Sequence, residues 1–320
     1  MYRDSLSVAY TAEGNPGHDR VSTANTAYSG IGERLEKHSN LKLILLLLLT
    51  YPLVRLVRWE KHHGRFPSLL TRFLFVTMCP WLEKVRKGNA RWPAMSQVYN
   101  HKQLCRGLLD RLWSNIRSSQ DLRNRFRVVR TMVQHSVDTW IGRQESKNEV
   151  VCVLSIACGS GEAVLRACAP YGDKIVVHAL DHDQTALDEA ANVALEYGVS
   201  QFVAHQNSYA GTIRLLRDLK PQVIEMVGLG DYLANTSFIS LVQKIRLSLP
   251  INGYFIVSHV HPNSEKYLLE DLCDWDKNMR YRSCEEFLSL LRLAGWADDE
   301  MEIVTLPWKM HTVVRCCRRG

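Results

Sequence analysis

The feature that most constrains the fold is the alternation of short β-rich runs with helical segments from residue 149 onwards. The strand-like runs are 150–156, 174–180, 202–205, 223–227 and 254–260, and the helical runs are 162–169, 184–197, 212–219, 237–249 and 285–294. Such alternation predicts a parallel sheet with helices on both faces. The last two runs, 302–306 and 312–315, are joined by a connection too short for a crossover, so they predict an antiparallel pair. We therefore expect an α/β fold with a seven-stranded sheet that is parallel except for one strand.

A glycine-rich turn follows the first of these strands. Residues 155–161 read Ser-Ile-Ala-Cys-Gly-Ser-Gly, and a helix is predicted to begin at Glu162. Glycines at such a turn let the backbone approach a ligand, and the helix N-terminus presents free N–H groups to it. The second strand runs to Asp181, 20 residues after Gly161, where a carboxylate can accept hydrogen bonds from both hydroxyls of a ribose. The turn and the acid together predict a site for a nucleoside cofactor.

The predicted site does not suit a dinucleotide, because no third glycine follows inside the helix. It better suits a cofactor with one ribose, one adenine and an amino-acid tail. The chain here resembles class I S-adenosylmethionine (SAM)-dependent methyltransferases: residues 153–161 resemble their first motif, 179–183 their second, and 249–257 the turn into their fifth strand. The resemblance covers about 150–316. It implies a Rossmann-like fold, SAM as the cofactor and methyl transfer as the reaction.

The resemblance also implies which residues form the site. The cofactor-binding positions are Ala157, Gly159, Ser160, Gly161, Glu162, Asp181, His182, Asn207, Ser208 and Gly228. Asp181 is the expected ribose ligand, and Asn207 lies at the turn that reads the adenine in the family, although it is also a common turn residue.

Tyr232, Asp231 and His259 are the predicted catalytic residues. The ring of Tyr232 can line the methyl path, because an aromatic face attracts cations; a packed core tyrosine is the alternative. His259 can be a general base if the acceptor is a hydroxyl or an amine. It can also pair with His261 on a metal, or both can be structural; we expect no metal.

Two departures from the family pattern bear on the reaction. Ser155 stands where the family usually has an acid, and Ala157 where it usually has a glycine. Because Ser155 can only hydrogen-bond, another residue must meet the ammonium of the cofactor, and Glu162, Tyr232 and Asp231 are the candidates. The missing acid keeps a second reaction open, in which the aminobutyryl chain of SAM is transferred or cyclised. A non-catalytic protein that binds SAM or a membrane surface is the third alternative.

The acceptor is expected to be a small molecule recognised by the N-terminal half. Residues 1–30 are small, polar and aperiodic and predict a flexible arm, 31–147 a helical lid or substrate domain, and 148–320 the SAM-binding domain. Residues 225–233 and 274–286 further resemble a bacterial subgroup that methylates the carboxylate of long hydroxy acids to make diffusible signals. We therefore expect O-methylation of an apolar or lipid-like acid or hydroxy compound.

The most apolar stretch of the chain is residues 41–59. Its uncharged run, 43–54, is 12 residues long, and as a helix it would span ~18 Å, less than the ~30 Å of a hydrocarbon core. The alternatives are a buried helix or lid, which the length favours, an interfacial membrane helix, and a membrane span. Peripheral membrane contact through 41–59 is thus one predicted interaction.

Charge is distributed unevenly along the chain. Residues 1–150 carry 24 Lys and Arg against 12 Asp and Glu, whereas 151–320 carry 16 against 21. A basic half can bind nucleic acid, a membrane or an anionic substrate, but no nucleic-acid-binding motif is readable, so we expect no nucleic-acid partner. Nine cysteines without zinc-like spacing indicate reduced thiols and a cytoplasmic protein. Nothing in the sequence indicates an oligomeric state.

A cluster of arginines lies in a predicted helix that runs to about residue 140. Arg123, Arg125, Arg127 and Arg130 interleave with apolar side chains. The cluster predicts either a solvated helix face or a contact to an anion such as a substrate carboxylate.

Overall fold

The computed structural model describes residues 22–23, 35–37, 41–65, 67–89, 91–105, 107–143, 149–207, 209–272, 275 and 278–320. The strands are β1 (Ser22–Thr23), β2 (Val151–Ile156), β3 (Ile175–Asp181), β4 (Phe202–Gln206), β5 (Val223–Met226), β6 (Tyr254–Val260), β7 (Met301–Thr305) and β8 (His311–Cys317). The helices before β2 are α1 (Leu41–His62), α2 (Leu69–Met78), α3 (Pro80–Gly88), α4 (Trp92–Tyr99), α5 (His101–Leu104), α6 (Leu108–Trp113) and α7 (Arg117–Arg143). Those after β2 are α8 (Glu162–Cys168), α9 (Gln184–Glu196), α10 (Tyr209–Leu219), α11 (Asn235–Ser248), α12 (Lys266–Leu272) and α13 (Cys284–Leu293).

The sheet has the strand order β1-β7-β8-β6-β5-β2-β3-β4. Strands β2 to β6 are parallel, and β8 is antiparallel to both of its neighbours, β6 and β7. The predicted seven-stranded, Rossmann-like sheet with one antiparallel strand is therefore confirmed. The order reverses between β2 and β5, and this reversal opens a crevice at the carboxyl ends of the two strands.

Two residues add an eighth strand at one edge of the sheet. Ser22 and Thr23 pair in parallel with Val304 and Thr305 of β7. They fall within residues 1–30, for which the sequence predicts a flexible arm. The rest of that arm lies outside the described residues.

Helices cover both faces of the sheet, as the sequence predicts. All six residues of β2 are buried, which is expected of a strand with helices on both sides. On one face α11 and α13 pack against the sheet through Phe238, Leu241 and Phe287. On the other face the core contains α7, α8 and α9.

Helix α7 belongs to the core of the sheet. Its residues Val128, Val133 and Val137 lie in one apolar cluster with Val151 and Val153 of β2. The predicted boundary at residue 147 therefore does not separate two hydrophobic cores, because 27-residue α7 starts in the helical part and ends against the sheet.

The preceding helices form a third cluster around Val57, Trp81, Leu82 and Trp113. Leu268 and Trp275 from the second half of the chain join this cluster and tie the helical layer to the sheet domain. Among the described helices, including α1, none combines the length and the apolarity needed to cross a bilayer.

Candidate active site

The turn after β2 has an unusual backbone. Ala157, Gly159 and Gly161 have φ angles of +54°, +55° and +63°, in the left-handed region that favours glycine. Ala157 takes this conformation where the related motif has a glycine, so it carries strain that a glycine would not. The N–H of Gly161 donates to the carbonyl of Cys158 at 2.8 Å, and α8 begins at the next residue. The bend thus leaves the helix N-terminus facing the crevice.

The carboxylate of Asp181 lies against this turn. The N–H of Gly159 donates to Asp181 Oδ2 at 3.0 Å, and the N–H of Asp183 donates to Oδ1 at 3.0 Å. His182 Nδ1 lies 3.1 Å from the same Oδ1. The two parts of the predicted nucleoside site, 22 residues apart in sequence, are therefore in direct contact.

An acid that the sequence analysis missed takes the place of the one absent at Ser155. Glu225 on β5 is opposite Ser155 in the parallel pairing, and Ser155 Oγ donates to Glu225 Oε2 at 2.5 Å. The residue is 6% exposed, and burial raises its pKa to about 7, although Ser155, the Val227 N–H and Arg125 all favour the charged form. The sequence signal for Glu225 is that it is the single acid in an otherwise apolar predicted strand, 223–227.

One cavity of about 490 Å³ joins these groups, a size that suits a small-molecule site. Of the predicted residues it is lined by Ala157, Gly159, Ser160, Gly161, Glu162, Asp181, His182, Gly228, Asp231 and Tyr232. Beyond the turn its wall is largely apolar and comes from both halves of the chain: Met95, Leu122, Phe126, Leu269, Trp275 and Met279.

Glu162 lies at the start of α8 and forms an ion pair with Arg166. Burial raises the pKa of Glu162, although Arg166 opposes the shift. Asn207 does not line the cavity; its N–H donates to the carbonyl of Asp181 at 3.0 Å. Ser208 lies outside the described residues.

Asp231 is a buried acid at the cavity wall. Its Oδ1 accepts from the N–H of Val260 at 3.1 Å and lies 2.8 Å from His259 Nδ1. Its Oδ2 lies 4.0 Å from Arg125 Nη1. Burial favours the neutral acid, but His259 and Arg125 lower the pKa of Asp231. The group is therefore a buried carboxylate held between His259 and Arg125.

His259 and His261 are both buried, which agrees with the structural alternative considered for them. His259 is 0% exposed, stacks on Phe287 and does not line the cavity. His261 lies 2.7 Å from the carbonyl of Arg282 and from Thr312 Oγ1. His259 contacts the cavity wall through Asp231, which lines the cavity. Within the described residues no group of three His, Cys, Asp or Glu side chains could hold a metal ion.

Arg125 brings a positive charge into the cavity. It is 6% exposed, and its Nη2 lies 3.9 Å from Met95 Sδ. Its Nε has no hydrogen-bond partner among the described residues. The prediction of a solvated arginine face is therefore wrong for Arg125, and also for buried Arg123, because α7 is enclosed between the sheet and the N-terminal layer.

Helix α4 closes the site over the glycine turn. A Cβ on Gly159 would lie 3.1 Å from the Cβ of Trp92, so no larger residue fits there without movement. The indole Nε1 of Trp92 donates to Thr185 Oγ1 at 3.3 Å. The N-terminal helices therefore contact the turn directly and form part of the cavity wall.

No protein-family model and no curated protein matches the sequence. Among solved structures, a possible exported protein from Bordetella parapertussis is similar with a TM-score of 0.62, at 15% identity, over 89% of this chain and 98% of its own. The CurJ carbon methyltransferase has a TM-score of 0.49, at 12% identity, over 79% and 70%. Magnesium protoporphyrin IX methyltransferase from Synechocystis, with bound SAM, has 0.47, at 13%, over 74% and 97%. At 15% identity the likeness to the Bordetella protein shows the fold alone, and the two TM-scores below 0.5 carry no argument. The sheet has the strand order and the antiparallel strand of the class I methyltransferase fold.

Proposed function

We propose that the protein is a SAM-dependent methyltransferase that methylates an oxygen of an apolar small-molecule acid. The observation that carries the proposal is the joining of three groups in one cavity: the left-handed turn against Asp181, the buried acid Glu225, and the buried cation Arg125. The first two suit the cofactor, and the third suits a carboxylate acceptor.

The cofactor site fits SAM at both ends. Asp181 keeps its carboxylate beside the N–H of Gly159, so it can accept from ribose hydroxyls at the turn. Glu225 supplies the anion that an ammonium needs, and an adjacent positive charge would stabilise its ionised form. When bound, SAM supplies a methyl group on a positively charged sulfur. The protein then needs to position the acceptor and exclude water rather than provide a nucleophile.

The acceptor end of the cavity suits an apolar acid. A buried guanidinium is costly without an anion, and a carboxylate satisfies its planar fork of N–H donors. Asp231, at 4.0 Å, is too distant to satisfy Arg125 fully. The apolar wall around Phe126 and Trp275 can bury the rest of the acceptor. An oxygen–methyl bond forms as the carbon–sulfur bond breaks, and no proton moves, so a carboxylate acceptor requires no base from His259.

Transfer or cyclisation of the aminobutyryl chain is the second candidate. The lack of an acid at Ser155 is what keeps this reaction open. Glu225 supplies an acid directly opposite Ser155 in the sheet, so the argument from a missing acid no longer applies. The nucleoside product distinguishes the two reactions. Methyl transfer leaves S-adenosylhomocysteine, whereas use of the aminobutyryl chain leaves methylthioadenosine.

The test is incubation of the purified protein with SAM and a panel of medium- and long-chain acids, hydroxy acids and matched alcohols. We expect S-adenosylhomocysteine and the methyl ester of the acid, which is heavier than the acid by one methylene. Arg125→Gln should raise the KM for the acid about tenfold or more, because a hydrogen bond to a charged group is lost. SAM affinity should stay nearly unchanged.

Arg292→Gln is the matched control, because Arg292 is a half-exposed arginine on α13 that pairs with Glu285 and Asp298. It should leave the KM unchanged. Methylthioadenosine as the nucleoside product, methylation of alcohols only, or no SAM binding by calorimetry would each contradict the proposal.

We also propose that α1 and α2 rest on an anionic membrane surface. Six large apolar side chains are exposed on these two helices: Leu48, Tyr51, Trp59, Leu69, Leu70 and Phe73. Residues 48–73 carry five Lys and Arg against one acid, Glu60. That acid is buried and accepts from Ser68 Oγ at 2.5 Å, which fixes the turn between the helices. Apolar side chains interleaved with cations suit the interface of an anionic bilayer.

Co-sedimentation with anionic and zwitterionic vesicles tests the membrane contact. We expect binding to anionic vesicles, and a large loss of it in Trp59→Glu/Phe73→Glu. Leu293→Glu is the control, because Leu293 is 68% exposed on α13, outside the α1–α2 surface. Equal binding by both variants, or self-association in light scattering in place of vesicle binding, would count against a membrane surface.

A further inference from the structure

We infer that Arg282 is a positioning residue for methyl transfer, because it holds the turn that carries Asp231 and Tyr232 at the cavity. Its effect on catalysis rests on the proposed function. Arg282 lies in the segment before α13, is 5% exposed and does not line the cavity. It therefore acts on the reaction through the turn and not by touching a substrate.

The turn between β5 and α11 has weak local signals for its conformation. Gly228 has a φ of +100°, and a short 3-10 helix, Leu229–Asp231, follows it. The N-cap of α11 is Ala234, whose side chain has no oxygen to accept from the free N–H groups of the helix. Because Asp231 and Tyr232 line the cavity, contacts with other parts of the chain must hold them in place.

The guanidinium of Arg282 donates to this turn at three points. Nη1 donates to the carbonyl of Gly230 at 3.0 Å, and Nη2 donates to the carbonyl of Leu233 at 2.5 Å. Nε donates to Asn235 Oδ1 at 3.0 Å, at the start of α11. Three nitrogens of one planar group thus contact three residues of the turn, which the single ammonium of a lysine cannot reproduce.

The backbone of Arg282 is itself anchored to the sheet. Its N–H donates to the carbonyl of Val260 at 3.3 Å, and its carbonyl accepts from His261 Nδ1 at 2.7 Å. The next residue, Ser283, caps α13 through a capping box with Glu286. The side chain of Arg282 therefore extends from a point fixed at the end of β6, and the turn is held relative to that strand.

Arg282 also acts on the pair formed by Asp231 and His259. Its Nη1 lies 3.4 Å from His259 Nε2, and because a guanidinium can only donate, this ring nitrogen accepts. In a neutral ring the proton is then on Nδ1, which lies 2.8 Å from Asp231 Oδ1. The N–H of Arg280 donates to the carbonyl of Asp231 at 2.6 Å. Residues 280–282 thus hold the backbone of Asp231 directly and its carboxylate through His259.

Loss of these contacts should affect the chemical step more than binding. The proposed cofactor ligands Asp181 and Glu225 lie on β3 and β5, and the proposed acceptor ligand Arg125 lies on α7. Methyl transfer needs the acceptor oxygen in line with the carbon–sulfur bond, and a misplacement of about 1 Å can cost about a hundredfold in rate. A displaced turn would therefore disturb alignment while the main binding groups stay in place.

Arg282→Lys tests the inference, because lysine keeps the charge but has one donor nitrogen in place of three. With the acids of the proposed assay, kcat should fall about tenfold or more, because alignment is lost. The KM for the acid and the affinity for SAM should each change by less than about threefold, because their ligands lie elsewhere. A variant with merely lower stability would not separate kcat from KM in this way.

Hydrogen exchange followed by mass spectrometry, without cofactor, tests the contacts independently of activity. In Arg282→Lys the backbone amides of residues 228–235 should exchange faster, while those of β2 and β3 should not change. A protein that fails to methylate acids would contradict the proposed function, but the exchange result would still decide whether Arg282 holds the turn. If Arg282→Lys does not fold in thermal melts, Asn235→Ala removes one acceptor only and should raise exchange in the same residues.

Arg246→Lys is the matched control. Arg246 is a partly buried arginine near the other end of α11, where it pairs with Glu300 and lies over the ring of Trp296. This variant should leave both kcat and the exchange of residues 228–235 unchanged. Unchanged exchange at 228–235 in the Arg282 variant, faster exchange over the whole chain, or weaker binding without a loss of kcat would overturn the inference.

Discussion

Replacing Glu225 by glutamine should make the protein more stable at alkaline pH. The pKa of Glu225 is raised from an ordinary 4.5 to about 7 by burial. Its contribution to folding is therefore fully present below about pH 4.5 and is lost as the pH rises through about 7. Each pKa unit is worth about 1.4 kcal/mol, so the shift of the Glu225 pKa from 4.5 to about 7 corresponds to a loss of about 3 kcal/mol of stability. Glutamine has almost the same shape, can still accept from Ser155, and stays neutral.

Urea denaturation at pH 5.0 and pH 8.5 measures the effect. We expect Glu225→Gln to gain about 3 kcal/mol over the unchanged protein at pH 8.5 and little at pH 5.0. The same variant should bind SAM more weakly, because the anion that we propose for the ammonium is gone. Stability and cofactor binding would thus move in opposite directions, as is common for a charged group buried at a functional site.

Glu300→Gln is the matched control. Glu300 is also buried, but the N–H groups of Arg319 and Ala297 and the side chain of Arg246 lower its pKa despite burial. Its charge therefore stabilises the fold above about pH 4.5, and the variant should lose stability at both pH values. A Glu225→Gln variant that behaves like Glu300→Gln, or one whose stability difference is independent of pH, would refute the reasoning.

Three further outcomes follow from the cofactor site. SAM affinity should rise as the pH increases through about 7, where Glu225 ionises, and calorimetry should show a flatter profile in Glu225→Gln; a falling profile would contradict this assignment. Asp181→Asn should weaken SAM binding about tenfold or more in the same assay, and unchanged affinity would exclude Asp181 as the ribose ligand. Ala157→Gly should raise the free energy of unfolding by up to about 1 kcal/mol, because glycine adopts a φ of +54° without strain. Gly159→Ala should lower the free energy of unfolding. Denaturant curves that rank the two variants in the reverse order would be inconsistent with this backbone.

The sheet and the turn were predictable because their signals are local. Alternating β and helical runs specify a parallel sheet, and a glycine turn followed by Asp181 marks one end of a nucleoside site. The contact between Gly159 and Asp181 joins neighbouring strands of one βαβ unit, so the spacing along the chain implied it.

The parts that were not predictable depend on register and packing. Glu225 faces Ser155 only because β2 and β5 pair at that register, 70 residues apart in sequence. Arg125 and Arg123 differ by two positions on one helix, yet Arg125 lines the cavity and Arg123 does not, and periodicity alone could not say which face is enclosed. The burial of His259 was equally hidden, because it requires the ring of Phe287 from α13.

Helix α7 holds Arg125, the cation proposed to bind the acceptor, in the same core as the glycine turn. Arg125 lies in its first half, while Val133 and Val137 anchor its second half under the sheet. Exchanging residues 31–116 for those of another protein would therefore change the shape of the cavity but leave Arg125, and with it the proposed preference for an anionic acceptor, in place. Only a graft that continues through residue 143 would transfer both properties, which sets the minimum unit for engineering a new substrate preference.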